Sequence, residues 1–327
     1  MRRRDFIATL CGAAVAFPFG TRAQKAMPVI GFLNGFGPED RANEVAGFKQ
    51  GLKENGFIEG RNVAIEYRWA RSRLEPVQEL AADLVSRRAD VIVISGGERG
   101  NIVAKKLTQT IPIVSIFAGD PVADGYIASL NHPGGNFTGA SLFAVTLAAK
   151  RLEILHELVP NASTIAVLTD SAIRFDNGRE ETEEAAQKLG LRLRIVNGGT
   201  LEQLESAFAT LSGERVSALL ISSVPTFAVG SFRDRIVALA TQYAIPAGYS
   251  DRSQVLAGGL ISYGVNVTAI YRQLGRYAAR VLLGDKPGDL PVVQPTTFEL
   301  VINLKTAKTL GLAIPPTLLA RADEVIE

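Results

Sequence analysis

Cysteine is almost missing from this sequence: Cys11 is the one such residue in 327. A disulfide framework and a cysteine-based metal site are thereby excluded. Histidine is nearly as scarce. His132 and His156 stand far apart with no ligand or nucleophile pattern around either, so both read as structural rather than as parts of a zinc site or a Ser-His-Asp triad. An excess of charge is missing too. The formal net charge is +2, and removing Arg2, Arg3, Arg4, Arg22 and Asp5 from the 35 basic and 33 acidic residues leaves 31 against 32. A nearly neutral body carries no electrostatic footprint for nucleic acid and no polybasic membrane patch. Past the N-terminus no stretch reaches the 18 or more apolar residues of a membrane span. The phosphate-loop pattern G-x-x-x-x-G-K-[ST] does not occur, and G-x-G-x-x-G does not follow the first strand.

What is present is the composition of a folded protein with a full core, 47 % hydrophobic and 21 % charged. Its length favours two domains over one. Residues 1–23 have the layout of a signal peptide. Arg2 to Arg4 form a positive start, Phe6 to Phe19 an apolar run, and Thr21-Arg22-Ala23 a cleavage site with small residues in the right places. Arg3-Arg4-Asp5-Phe6-Ile7 also resembles the twin-arginine export motif. Leu10 before Cys11, and the position of Cys11 inside the apolar run, argue against a lipid anchor. The expected mature protein is exported, soluble and free of cysteine.

From Met27 onward the pattern alternates between strand and helix. Pro28 to Leu33 reads as a buried strand ending at Asn34-Gly35-Phe36. Arg41 to Asn55 repeats Val45, Phe48 and Leu52 at helical spacing and stops at Gly56. Val63, Ile65 and Tyr67 alternate as a strand with one wet face, and a helix follows from Glu75 to Arg88. Asp90 to Ile94 is a parallel-strand signal that runs into Ser95-Gly96-Gly97 and another helix. Ile111 to Phe117 is the next strand, ending at Ala118-Gly119-Asp120. Strand and helix in alternation predict a parallel sheet with right-handed crossovers. Ligands of such sheets lie beyond the carboxyl ends of the strands. The first set of candidate contacts is therefore Asn34, Gly35, Phe36, Ser95, Gly96, Gly97, Phe117 and Asp120. Ser95-Gly96-Gly97 reads either as a backbone cradle for an anion such as a carboxylate or as a helix start that uses glycine for packing.

Asn131 to Gly139, with three glycines and one proline, cannot be a helix interior. It reads as a loop approaching the crossing into a second half. There Leu147 to Leu158 is a helix, with Lys150 and Arg151 expected to face outward. Strands at Thr164 to Leu168, Leu191 to Val196, Val216 to Ile221 and Ile245 to Tyr249 alternate with helices at Glu180 to Leu189, Leu201 to Leu211 and Phe232 to Tyr243. Their carboxyl ends supply Thr169, Asp170, Ser222, Ser223, Tyr249 and Asp251, mostly hydroxyls and carboxylates suited to a hydrogen-bonded ligand.

Several long blocks resemble one family in order: Gly31-Phe32-Leu33, Ile65 to Ala70, Pro133 to Gly139, Gly258 to Gly264, and the tail from Thr297 to Leu312 and Ile314 to Ile326. Together they are similar to the ABC-transporter substrate-binding proteins whose relatives include tryptophan- and tyrosine-binding proteins. The resemblance implies a type I periplasmic-binding-protein fold, α/β, with two doubly wound parallel-sheet lobes joined by three hinge crossings. The lobes are expected at 27–143 plus 264–289 and at 144–263 plus 290–327. It implies no cofactor and no catalysis, a periplasmic location for this protein, and the membrane permease and ATPase subunits of an ABC importer as partners. An aromatic amino acid or related carboxylate is the expected solute, with Phe36, Phe117 or Tyr249 against a ring, Asp120 or Asp251 at an ammonium, and Ser95 to Gly97 at a carboxylate. The alternative on the residues alone is an exported α/β hydrolase using paired carboxylates such as Asp120 and Asp170.

Overall fold

The computed structural model describes residues 27–71, 76–142, 145–171 and 179–327. The expected signal segment, residues 1–23, lies outside the described residues. The first run of elements is β1 (Val29–Asn34), α1 (Ala42–Glu54), β2 (Ala64–Trp69), α2 (Val77–Ser86), β3 (Val91–Ser95), α3 (Glu98–Leu107), β4 (Ile113–Phe117) and β5 (Phe137–Ser141). Its five strands form one parallel sheet in the order β2-β1-β3-β4-β5. All five residues of β3 are buried, as a strand covered by helices on both faces requires. Ile30 and Phe32 pack with Phe48 and Leu52 on one side of the sheet, while Leu33, Ile92 and Ile94 pack with Leu84 on the other.

The loop expected over 131–139 gives way to β5 at Phe137. Gly139 makes this possible: a Cβ there would lie 1.8 Å from the Ser115 carbonyl oxygen of β4.

The second run is α4 (Val145–Leu158), β6 (Thr164–Thr169), α5 (Arg179–Lys188), β7 (Arg192–Asn197), α6 (Leu201–Glu214), β8 (Ala218–Ile221), α7 (Gly230–Gln242), β9 (Ala247–Tyr249), α8 (Arg252–Leu256) and β10 (Ile261–Val265). The chain then returns to the first lobe as α9 (Val267–Leu282). It finishes on the second with β11 (Phe298–Asn303), α10 (Leu304–Thr309), α11 (Pro316–Leu319) and β12 (Glu324–Ile326). The second sheet is ordered β12-β11-β10-β9-β8-β6-β7. It is parallel except for β10 and β11, which run antiparallel because the chain leaves along one and comes back along the other.

Helix α9 belongs to the first lobe by its packing. Gly51 and Gly275 let α1 and α9 touch backbone to backbone: a Cβ on Gly51 would lie 1.9 Å from the Arg272 carbonyl oxygen, and one on Gly275 would lie 2.1 Å from that of Phe48. Tyr271 and Leu274 are buried in the core of Phe32 and Phe48. Two expected lobe limits move. Gly264 and Val265 pair with β11 in the second sheet rather than joining the first lobe. Residues 290–293 stay with the first: Val292 N–H donates to the Leu130 carbonyl at 2.7 Å, and Val293 N–H to that of Gly139 at 3.0 Å. The last crossing therefore falls after Val293, where these ladder bonds end.

Candidate functional site

The carboxyl ends of the two sheets meet across one gap. Asp40, after β1, lies against Gly230 at the start of α7, where a Cβ would stand 3.2 Å from Oδ1 of Asp40. Arg41 spans the same gap electrostatically. Burial opposes its charge, but Tyr271, Glu44 and, from the second lobe, Asp251 more than offset this and raise its pKa. Its guanidinium bonds Glu44 at 2.9 Å and sits 4.5 Å over the Phe36 ring.

On the first lobe one network fixes the loop after β1. The Asn34 amide donates to Ser95 Oγ at 2.9 Å and to the Tyr271 hydroxyl at 3.0 Å, and its Oδ1 accepts the Phe36 N–H at 2.8 Å. Gly35 donates its N–H to the Ser95 carbonyl at 3.0 Å. A Cβ on Gly35 would lie 1.9 Å from the Gly96 carbonyl oxygen, so the loops after β1 and β3 are pressed together. Gly96 and Gly97 have φ of 82° and 127°, outside the range L-residues favour. Asn34, Gly35, Phe36, Ser95, Gly96 and Gly97 thus gather as the sequence suggested. Asp120 sits apart: it is exposed, and its Oδ1 accepts the Val122 N–H at 2.9 Å, holding its own turn.

On the second lobe Thr169 ends β6, and Ser222 and the exposed Ser223 follow the neighbouring β8. Ser222 Oγ is consumed by the Leu168 carbonyl at 2.6 Å. Asp170 is partly exposed beside them and has polar interactions of its own. Asp251 caps α8, accepting the Ser253 N–H at 2.8 Å.

Three expectations need correction. Phe117 is not a platform for a ring; it is 1 % exposed and packs inward on Tyr126 and Phe137. Tyr249, also 1 % exposed, belongs to the core of the second lobe, and burial raises its hydroxyl pKa. Both strands are buried along their whole length, so a terminal side chain on either face of the sheet meets a core. Arg151 does not face outward. It is 4 % exposed, and its guanidinium reaches the strand ends, where Nη2 donates to Ser223 Oγ at 2.7 Å and Nη1 to the Tyr263 carbonyl at 3.3 Å. The helical spacing carried that signal: Arg151 shares a face with Ala148, Leu155 and Leu158, all buried.

Four buried polar atoms around these strand ends have no protein partner: Nε of Arg41, Oγ of Ser141, Nε of Arg151 and Oγ1 of Thr169. Buried groups are nearly always bonded, and among the described residues Tyr67 Oη, Glu98 Oε2 and His156 Nδ1 are further exceptions away from this group. Elsewhere, a hollow of about 760 Å³ opens on the outer face of the second lobe between α7, α8 and α10. Its charges Arg233 and Asp234 are paired with each other at 2.8 Å, so it shows no comparable demand.

Two layered lobes, three crossings and facing strand ends define the two-lobed fold of the type I periplasmic-binding kind. The comparisons narrow this. The chain belongs to the ABC transporter substrate binding protein family, whose model matches residues 30–326. It is 27 % identical over 277 residues to a tyrosine-binding protein of Clostridioides difficile (strain R20291), covering 81 % of this chain and 76 % of that one. Among solved structures it is similar to an ABC domain from Streptococcus pneumonia in complex with L-Trp, with a TM-score of 0.80, 27 % identity, and 91 % and 99 % of the two chains covered. It is also similar to the ligand-free, open structure of a substrate-binding protein with adhesive properties from Clostridium difficile. There the TM-score is 0.68 at 25 % identity and the same coverage. The family and its relatives are solute-binding proteins, not enzymes. Among the described residues no helix is long and apolar enough to cross a membrane.

Proposed function

We propose that this protein is the exported, periplasmic solute-binding component of an ABC import system, and that it captures a small carboxylate-bearing solute of the aromatic amino acid class between its lobes. The observation that carries the reading is membership of the substrate-binding family over residues 30–326, with tyrosine- and L-Trp-binding relatives at 27 % identity. The mechanism is hinge closure. Each lobe stays rigid because its sheet is covered on both faces, and the three crossings let the strand ends approach. The solute shifts the population toward the closed form by binding it better than the open one. The closed surface, with Asp40 against Gly230 and Asp251 facing Arg41, would then dock on the permease, and an ATPase would drive release.

The residues that take part in this reading are Asn34, Gly35, Phe36 and Ser95 to Gly97 on one side and Thr169, Asp170, Ser223 and Asp251 on the other. Export rests on residues 1–23 and their paired arginines. A thermal-shift screen of the 27–327 protein against amino acids and aromatic acids tests the binding. A rise in melting temperature with an intact, recoverable solute is expected. No rise with any of them at millimolar concentration would overturn the ligand class.

A further inference from the structure

Arg151 is a cation in the wrong place for a structural residue. It lies on the buried face of α4, among Ala148, Leu152 and Leu155. An arginine so placed is ordinarily matched by a carboxylate, because an unpaired buried charge is costly. Arg151 has no ion-pair partner among the described residues. Burial alone acts on it and pushes its pKa down to about 10. A guanidinium carries five N–H donors, and the protein engages it at Ser223 Oγ and the Tyr263 carbonyl while Nε has no partner.

Its position is as telling as its charge. Strand β9 pairs with β10 only at Ile261 and Ser262, so the Tyr263 carbonyl emerges just past the end of β9. Ser223 follows the end of β8 and is exposed. The guanidinium thus sits beneath the row of strand ends that faces the first lobe. The Ser223 hydroxyl accepts from Nη2, which leaves its own proton free to donate outward. Thr169, at the end of β6 next to β8, adds a buried hydroxyl without a partner to the same row.

Resting on the reading that a solute is held between the lobes, we propose that Arg151 and Ser223 form the receptor for the solute's anionic group, with the group hydrogen-bonded by Ser223 and its charge neutralised by Arg151. The pair sets both the ligand class and its orientation. The solute must carry a negative charge at one end, and that end goes to the second lobe. This differs from an assignment of the carboxylate to Ser95 to Gly97, where the donors are backbone groups and the local side chains Asn34 and Ser95 already bond each other.

The test is calorimetry on the 27–327 protein with matched probes: L-tryptophan and L-tyrosine, their decarboxylated amines tryptamine and tyramine, indole-3-acetate, and neutral sugars and nucleosides. The expected result is binding of at least one acid and none of its amine. R151Q should weaken that acid roughly a hundredfold or more, as loss of one partner of a buried charge pair does, and R151K should recover part of the loss. S223A, at an exposed position, keeps the test alive if R151Q does not fold, and should weaken the same acid about tenfold. Binding of an acid that neither R151Q nor S223A alters would overturn the proposal and leave the solute-binding reading standing. So would binding of a neutral solute with R151Q unchanged. Failure of every probe to bind would overturn the proposal together with the aromatic-acid ligand class it rests on.

Discussion

The carboxylate of Asp40 and the backbone of Gly230 belong to different lobes and lie in contact range of each other, with room for a Cβ only at 3.2 Å from Oδ1. Gly230 also has φ of 51°, a conformation that favours glycine. On the proposed hinge closure, the closed form needs a bare backbone at this point. Replacing Gly230 with leucine should act as a wedge. Disfavouring closure by about 1.4 kcal/mol would weaken solute binding about tenfold, and D40G in the same chain should restore part of it. Titration calorimetry of the two variants reads this directly. Equal affinities for wild type and G230L would mean that the lobes do not meet here when solute is bound.

The joint between α1 and α9 makes a separate demand for glycine. A Cβ on Gly51 would stand 1.9 Å from the Arg272 carbonyl oxygen, a backbone atom that cannot swing aside. G51A should therefore cost about 1–3 kcal/mol, the range of overpacked cores. G213A in α6 is the control, since a Cβ there meets nothing within 4 Å. It should be neutral or stabilise by about 0.4–1 kcal/mol through the unfolded chain. Urea denaturation midpoints of the pair separate packing from helix propensity.

Glu54 ties the same two helices electrostatically. It accepts from Arg272 Nε at 2.6 Å and Arg276 Nε at 2.7 Å, and these bonds lower its pKa to about 2. A folded pKa below the unfolded value of about 4.3 means that protonation favours the unfolded state. The contribution is fully present above the unfolded value and is lost as pH falls toward 2. E54Q should melt below wild type at pH 7, and the gap should close as pH approaches 2. Thermal melts across that range check it. A gap that persists at the acid end would assign the effect to packing instead.

Much of this was legible in the sequence. Asp90 to Ile94 reads as a parallel strand, which the structure places at Val91–Ser95 and buries throughout, and Asn34 and Ser95 stand beside each other because parallel strands end at one edge. Which way a terminal strand residue points is a matter of register, and here the reading missed: Phe117 and Tyr249 turn into their cores. The antiparallel pairing of β10 with β11 depends on a crossing between lobes that local periodicity does not encode. Arg151 is the instructive case. Helical spacing put it on the apolar face, but the habit of arginine argued for solvent, and geometry sided with the spacing. A local preference overridden by the fold is what a functional site is expected to show.

The account's central claim is that a solute draws the two lobes together. The 27–327 protein contains no cysteine, so a pair of spin labels can be placed without background. Arg99 and Glu202 are exposed and open the helices that follow β3 and β7, one on each lobe. Pulsed dipolar spectroscopy on the R99C/E202C protein, with and without the acid that gives the largest thermal shift, measures the gap directly. The account predicts a distance distribution that shortens and narrows on binding. An unchanged distribution, in a sample shown by its melting temperature to be saturated, would contradict it.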